Sequence, residues 1–293
     1  MPRNPTVSVI TPAYKAHGHL PQAVHSMLRQ TYADWEMLIV SDDGADYEAL
    51  LAMEDIRDPR LRFYSTDGNG TGPNNARNVA LRHARGQYLL PLDADDVMYP
   101  PRLAALLPHA EKCGMCGNNV RVLRDPRNDI LGQLFSEGSG IRWFDVDAYT
   151  STSIPMTFMF RSDIVSWQWD VDVELGADTL FNLCGFETLC RVPVLETALH
   201  EYRVVPTSIC HNADASLRAD RAYRYCLNRL KRDRLGFKDP AIVEKVEHML
   251  LRKLALNKEF KLAFDNGICR DFQEFMGLFQ HDPQHKQRQR CTG

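Results

Sequence analysis

The hydrophobic positions change rhythm twice along the chain. From residue 7 to about residue 112, short continuous apolar runs alternate with stretches of helical spacing. "TVSVITPAY" predicts a buried strand from Val7 to Thr11, ended by Pro12. "WEMLIVSDDG" predicts a second, running into Asp42, Asp43 and Gly44. "RLRFYS" and "QYLLPLD" predict a third and a fourth. Between them, Leu20, Val24, Met27 and Leu28 fall on one helix face, as do Ala76, Val79, Ala80, His83 and Ala84, with Gly86 as the expected C-cap. "PPRLAALLPHAEKCG" predicts a further helix entered through Pro100 and Pro101. This alternation predicts an α/β fold: a mostly parallel sheet flanked by helices.

After residue 113 the alternation breaks. "MCGNNVRVL" and "IPMTFMFRS" read as strands, "GQLFSEGSGIRWFD" as a loop between them, and "ELGADTLFNLCGF" as a short helix. After residue 216 the rhythm is helical. Asp239 and Pro240 read as an N-cap and first helical residue, followed by Ile242, Val243, Val246, Met249, Leu250, Leu254 and Phe260. The expected organisation is 1–112, 113–215 and a C-terminal helical extension over 216–280, with a polar tail over 281–293 expected to lack structure.

Composition changes this picture little. The 293 residues carry a net charge of −3, so no global basic field points to nucleic acid as a partner. No apolar run approaches the roughly 18 residues of a membrane span, and "MPRNPTVSVITPAYK" lacks a secretory h-region, so a cytoplasmic protein is expected. The eight cysteines are scattered and read as free thiols. Cys113 and Cys116 form a CxxC, but no second pair completes a zinc set. "RAYRYCLNRLKRDR" mixes tyrosines with Arg221, Arg224, Arg229, Lys231, Arg232 and Arg234. It is open to two readings: a solvated helix face, or a peripheral membrane contact at the inner face of the membrane.

The candidate chemistry lies at the strand ends. In open parallel sheets ligands bind beyond the C-terminal ends of the strands. Pro12 to Tyr14, Asp42 to Gly44 and Asp93 to Asp96 all follow such ends. In "LDADD", Asp93, Asp95 and Asp96 suit a hard divalent cation, Mg²⁺ or Mn²⁺, which typically bridges carboxylates to substrate phosphates. A bare acidic turn capping the next helix is the bland alternative. Asp93-Ala94-Asp95-Asp96-Val97 also fits the DxDx(T/V) string of haloacid-dehalogenase-like phosphatases, with Asp93 as nucleophile. That family needs a later acidic pair, and Asn182 stands where the second acid of "GADTLFN" should be. "DGNGTG" lacks the GxGxxG spacing and reads as a flexible lead-in to a helix.

Taken together, "VSVITPAYK", "EMLIVSDDG", "ARNVALRHARGQYLLPLDADD" and "GADTLF" resemble family 2 glycosyltransferases, in order and spacing, from residue 6 to about residue 210. The resemblance implies a GT-A fold, a nucleoside-diphosphate sugar donor, a carbohydrate or lipid-linked acceptor, and inverting transfer. It implies that Pro12 and Tyr14 line the nucleotide pocket, that Asp43 accepts a base N–H while Asp42 supports the loop, and that Arg77 lies near the nucleotide. It makes Asp95 the principal metal ligand, with Asp93 on the ribose or metal side and Asp96 either on the donor sugar or bracing the loop. Asp178 becomes the general base. The sequence departs from the family at Ala177, where a Glu is usual, and at Val205, in place of a His; Tyr202, Arg203 and Ser208 match, and His211 lies nearby. These departures keep open a catalytically impaired nucleotide-binding protein. A nucleotidyltransferase would need a Gly-rich basic loop after the first strand, which "TPAYKAHG" is not.

Overall fold

A computed structural model describes residues 4–205 and 214–280. Ser208, His211 and the tail over 281–293 lie outside the described residues. In chain order the elements are β1 (Val7–Ala13), α1 (Leu20–Leu28), β2 (Trp35–Ser41), α2 (Tyr47–Met53), β3 (Leu61–Ser65), α3 (Pro73–His83), β4 (Tyr88–Pro91), β5 (Val97–Met98), α4 (Arg102–Cys113) and β6 (Met115–Arg124). They continue with β7 (Asp129–Gln133), β8 (Ile141–Phe144), α5 (Val146–Thr150), β9 (Met159–Arg161), α6 (Ala177–Leu189), β10 (Val192–Val204), α7 (Ala215–Asp233), α8 (Pro240–Asp265) and α9 (Phe272–Gln280).

One sheet runs in the order β3-β2-β1-β4-β9-β6-β10-β5. The four strands β3-β2-β1-β4 are parallel, and β6 runs parallel to β10; β9 joins the two groups antiparallel to both β4 and β6. The parallel half is buried on both faces, which is why its strands read as unbroken apolar runs. Period-two alternation still sorts the side chains. Leu38 and Val40 pack with Ala76 and Ala80 of α3, whereas Met37 and Ile39 pack with α1, α2 and α4.

The expected loop over "GQLFSEGSGIRWFD" contains structure. Ile141–Phe144 is an edge strand paired antiparallel with β10. Three of its four side chains are exposed, so no apolar alternation marks it. Glu196 of β10 anchors it, accepting from the Gly140 amide at 3.2 Å and from Arg142 at 2.9 Å. Of "IPMTFMFRS", only Met159–Arg161 is strand.

Gly86 is not a helix cap. The helix ends at His83, and Ala84 already has extended backbone. Gly86 instead lets the chain press against β1: its amide donates to Ser8 Oγ at 2.8 Å, and a Cβ there would lie 2.5 Å from the Ser8 backbone nitrogen. Backbone cannot yield as a flexible side chain can. Gly86→Ala is therefore expected to destabilise the protein by about 1–3 kcal/mol. Thermal melting would show this as a Tm lower by several degrees; an unchanged Tm would refute the close-packing account.

Candidate active site

The C-terminal ends of β1, β2, β4 and β10 and the first turns of α3, α6 and α7 meet at a cavity of about 840 Å³. β1 contributes Pro12, Tyr14 follows directly after it, the turn after β4 contributes Asp93, Asp95 and Asp96, and the first turn of α6 contributes Asp178. Tyr14 is half exposed there. Of the residues named from sequence, Arg77 also lines the cavity and Asp43 does not.

Asp43 is committed to its own loop. Its carboxylate accepts from the Lys15 amide (2.5 Å), the Ala45 amide (3.2 Å), Tyr47 Oη (2.9 Å) and Ser41 Oγ (3.1 Å). These fill its four lone-pair sites. Burial pushes its pKa up, but these four donors outweigh that and hold it below the usual range. The amide bond to Lys15 also fixes that residue's left-handed backbone, φ 51°. A nucleobase N–H would have to displace one of these donors. Asp42 holds the Gly-rich loop: it accepts from Thr66 Oγ1, Thr71 Oγ1 and the Thr71 and Gly72 amides, all within 2.6–2.9 Å.

Arg77 organises the carboxylates. It is 5% exposed; Nη2 donates to Asp93 Oδ1 at 2.6 Å and Nη1 lies 3.3 Å from Asp178 Oδ1. Burial alone would lower its pKa, but the Asp178 and Asp93 charges outweigh this and raise it. Its neighbours on the same polar face of α3 act on the loop before α6. Asn74 donates to the carbonyls of Asp170 and Val173, and Asn78 both donates to the Trp169 carbonyl and accepts from its amide. The spacing 74, 77, 78 places all three on one side of the helix.

Asp95 and Asp96 differ in environment. Asp96 is buried; it accepts from the Arg203 amide at 2.9 Å and lies 3.0 Å from His200 Nε2. Both its oxygens are engaged, so it braces the turn against β10. Burial and the Asp93 charge raise its pKa well above the usual range. Asp95 is raised likewise, by burial and by the charges of Asp96 and Asp93, with no hydrogen bond from a cationic side chain among the described residues. Negative charge is thus crowded at the turn and incompletely offset.

Sequence reasoning missed His200, although a signal existed: Tyr202 faces the cavity, and two residues earlier on a strand faces the same way. It also missed Trp169, whose Nε1 donates to Asp178 Oδ1 at 2.8 Å, and Arg102. Arg102 is fully buried behind the turn, bonded to Asn118 and Thr157, and burial lowers its pKa to about 9.

Over half of the chain, residues 8–166, matches the family described as Glycosyl transferase family 2. The chain belongs to that family. The succinoglycan biosynthesis protein ExoO of Rhizobium meliloti is 34% identical over 86% of this chain and 79% of its own length. The putative colanic acid biosynthesis glycosyl transferase WcaA of Escherichia coli is 27% identical over 58% of this chain and 59% of its own length. Among solved structures, S. aureus TarS 1-349 in complex with UDP-GlcNAc superposes with a TM-score of 0.63, covering 94% of this chain and 80% of that one, at 17% identity. That likeness establishes the GT-A fold expected from the sequence.

Membership sets aside the phosphatase reading, and the structure gives the local reason. Asn182, where a second acid was required, is a buried structural amide that donates to Tyr149 Oη and the Met156 carbonyl. The six described cysteines are free thiols, as expected.

Four of the six basic residues named from the sequence pair with acids of the same chain, three of them while remaining largely exposed. Arg221 pairs with Glu174, Arg224 with Asp220, Arg229 with Asp170 and Asp233, and Arg232 with Asp233. No described helix is long and apolar enough to cross a membrane. With most of this charge offset by neighbouring acids, flotation with anionic liposomes is expected to show no salt-sensitive binding; salt-sensitive flotation would restore the peripheral-contact reading.

Proposed function

We propose that the protein is an inverting, metal-dependent glycosyltransferase that moves a sugar from a nucleoside diphosphate, a UDP-linked donor, to an acceptor hydroxyl in bacterial polysaccharide or glycoconjugate synthesis. The observation that carries this is the convergence of Asp93, Asp95 and Asp178 on one cavity, with Arg77 bridging Asp93 and Asp178. Family membership supports the reaction class. The named biosynthetic roles of ExoO and WcaA, and the UDP-GlcNAc in TarS, support the setting and the donor. An acceptor linked to lipid diphosphate has a precedent in the E. coli glucosyltransferase WfgD, 36% identical over 33% of this chain.

The residues fit a divalent ion. Among the described residues no three His, Cys, Asp or Glu side chains form a metal set. Mg²⁺ and Mn²⁺ at phosphate sites need only one or two carboxylates, the rest coming from water and phosphate oxygens. Asp95, with Asp93, would hold the ion, which would offset the charge of the departing diphosphate.

The chain's own groups do the rest. The acceptor oxygen attacks the anomeric carbon, the bond from that carbon to the diphosphate breaks, and the acceptor proton passes to Asp178. Arg77 keeps Asp93 and Asp178 in one frame, so positioning carries much of the rate. Mn²⁺-dependent hydrolysis across a panel of UDP-, GDP-, dTDP- and CDP-linked sugars tests the proposal. A UDP-sugar should be consumed fastest, and chelation should stop it. Hydrolysis that ignores chelation, or a preference for CDP-sugars, would overturn the corresponding part.

A further inference from the structure

The two oxygens of Asp178 are not equivalent. Oδ1 accepts from Trp169 Nε1 at 2.8 Å and faces Arg77 Nη1 at 3.3 Å. Among the described residues Oδ2 has no hydrogen-bond partner, and the side chain is 47% exposed at the cavity. Building on the proposed role of Asp178 as the base, we propose that Trp169 is a positioning residue: with Arg77 it pins Oδ1, so that Oδ2 alone receives the acceptor proton.

Trp169 is held on every side. It is 3% exposed and stacks on Phe181 with ring centroids 3.7 Å apart and planes 8° apart. Its amide and carbonyl are both bonded to the Asn78 side chain, at 2.9 and 2.8 Å. Asn78 directly follows Arg77, so one turn of α3 fixes both partners of Oδ1. On the far side, α7 grips the residues that follow. Asp170 pairs with Arg229 at 3.0 Å, Asp172 accepts from Tyr225 Oη at 3.3 Å, and Glu174 takes Arg218 at 2.8 Å and Arg221 at 3.3 Å. The turn over 170–173 and the bend that follows thus meet successive turns of one helix face. The Trp169 bond is not a default of buried indoles. The buried Nε1 atoms of Trp35 and Trp167 find no partner among the described residues.

A carboxylate held on one oxygen by a hydrogen bond and an ion pair cannot rotate about its terminal bond without losing both. The remaining oxygen therefore presents its lone pairs in a fixed orientation to the attacking hydroxyl. As the acceptor O–H bond breaks toward Oδ2, the new bond to the anomeric carbon forms and the diphosphate leaves with the electron pair of its own C–O bond. A misplacement of the base by about 1 Å can cost on the order of 100-fold in rate.

Trp169→Phe keeps an aromatic ring against Phe181 and removes the N–H together with part of the buried indole. Wild type, W169F, D178N and the double variant would be compared for hydrolysis of UDP-N-acetylglucosamine and UDP-glucose in MnCl₂, with water as the acceptor. W169F should lower kcat by about 10–100-fold, leave KM for the donor unchanged, lower Tm through the lost ring volume, and add nothing to the kcat loss in the D178N background. In a ¹H–¹⁵N spectrum, the Trp169 indole resonance, assigned by its loss in W169F, should move in D178N. Wild-type kcat in W169F, an equal loss in both backgrounds, or an unmoved indole resonance would overturn the inference. If D178N itself keeps wild-type kcat, it is the base assignment that fails, whatever W169F shows.

Discussion

Asp95→Asn is expected to abolish the Mn²⁺-dependent part of UDP binding while leaving the protein at least as stable as the wild type. The two halves of this expectation have the same origin. Asp95 sits beside Asp96 and Asp93, and burial and these charges raise its pKa well above the usual carboxylate range. For an acid whose folded pKa is raised, the stabilising contribution is present below the unfolded pKa and disappears as pH rises through the folded one. At neutral pH the ionised group is thus a cost to the folded state. The isosteric amide removes that cost, so Tm should rise at pH 7 to 8, and the difference from wild type should shrink as pH falls. Binding should go the other way. Losing a direct ligand should exceed the roughly 10–100-fold affinity loss typical of outer-shell partners of a metal. Without metal, UDP should bind the variant no worse than the wild type, because one negative charge has left the diphosphate's surroundings. Calorimetric titration of UDP with and without MnCl₂, together with melting curves across pH, reads both. Equal Mn²⁺-dependent affinities in the two proteins would remove Asp95 from the metal site. A lower Tm would mean that the carboxylate makes a structural bond absent from this geometry.

The parallel half of the fold was legible because its strands are buried on both sides, and burial on both sides leaves an unbroken apolar run. β1, β2 and β4 announce themselves in this way. α2 did not, for it is seven residues long and buries only Tyr47 and Leu51, too little pattern to read. β8 was invisible for the opposite reason: as an exposed edge strand it needs no apolar alternation. At the site, the acids after β4 were legible because three charges following a buried strand have few structural uses. The division of labour among them was not. Whether Asp96 faces a ligand or the protein depends on His200 and Arg203, more than a hundred residues away in the chain. Asp43 shows the same limit. The string "SDDG" does not disclose that the second Asp is saturated by Lys15, Ala45, Tyr47 and Ser41. The polar face Asn74, Arg77 and Asn78 was written in the sequence at helical spacing, but the apolar stripe beside it drew the reading.

Asp178→Asn should retain metal and donor binding and lose transfer, by about 10²–10⁴-fold, the usual effect of removing a general base. The amide keeps what the structure needs from this position. Its oxygen can still accept the Trp169 N–H, and Arg77 keeps its 2.6 Å bond to Asp93. Tm should therefore change little, and a large fall would mark Asp178 as structural. The pH dependence supplies a second, independent signature. Desolvation within the cavity wall, opposed by Arg77 and reinforced by Asp93, raises the Asp178 pKa above its ordinary value near 3.8. Because the base works in its ionised form, the wild-type rate should rise with pH through that raised pKa, placing the acid limb above the ordinary Asp range. The residual rate of the Asn variant should lack this limb. Glu174 is the next carboxylate on the cavity wall, but its two oxygens already face Arg218 and Arg221. It could take over only by breaking the contacts that fasten its loop to α7. Near-normal transfer by the Asp178 variant, with the acid limb intact, would show that it does.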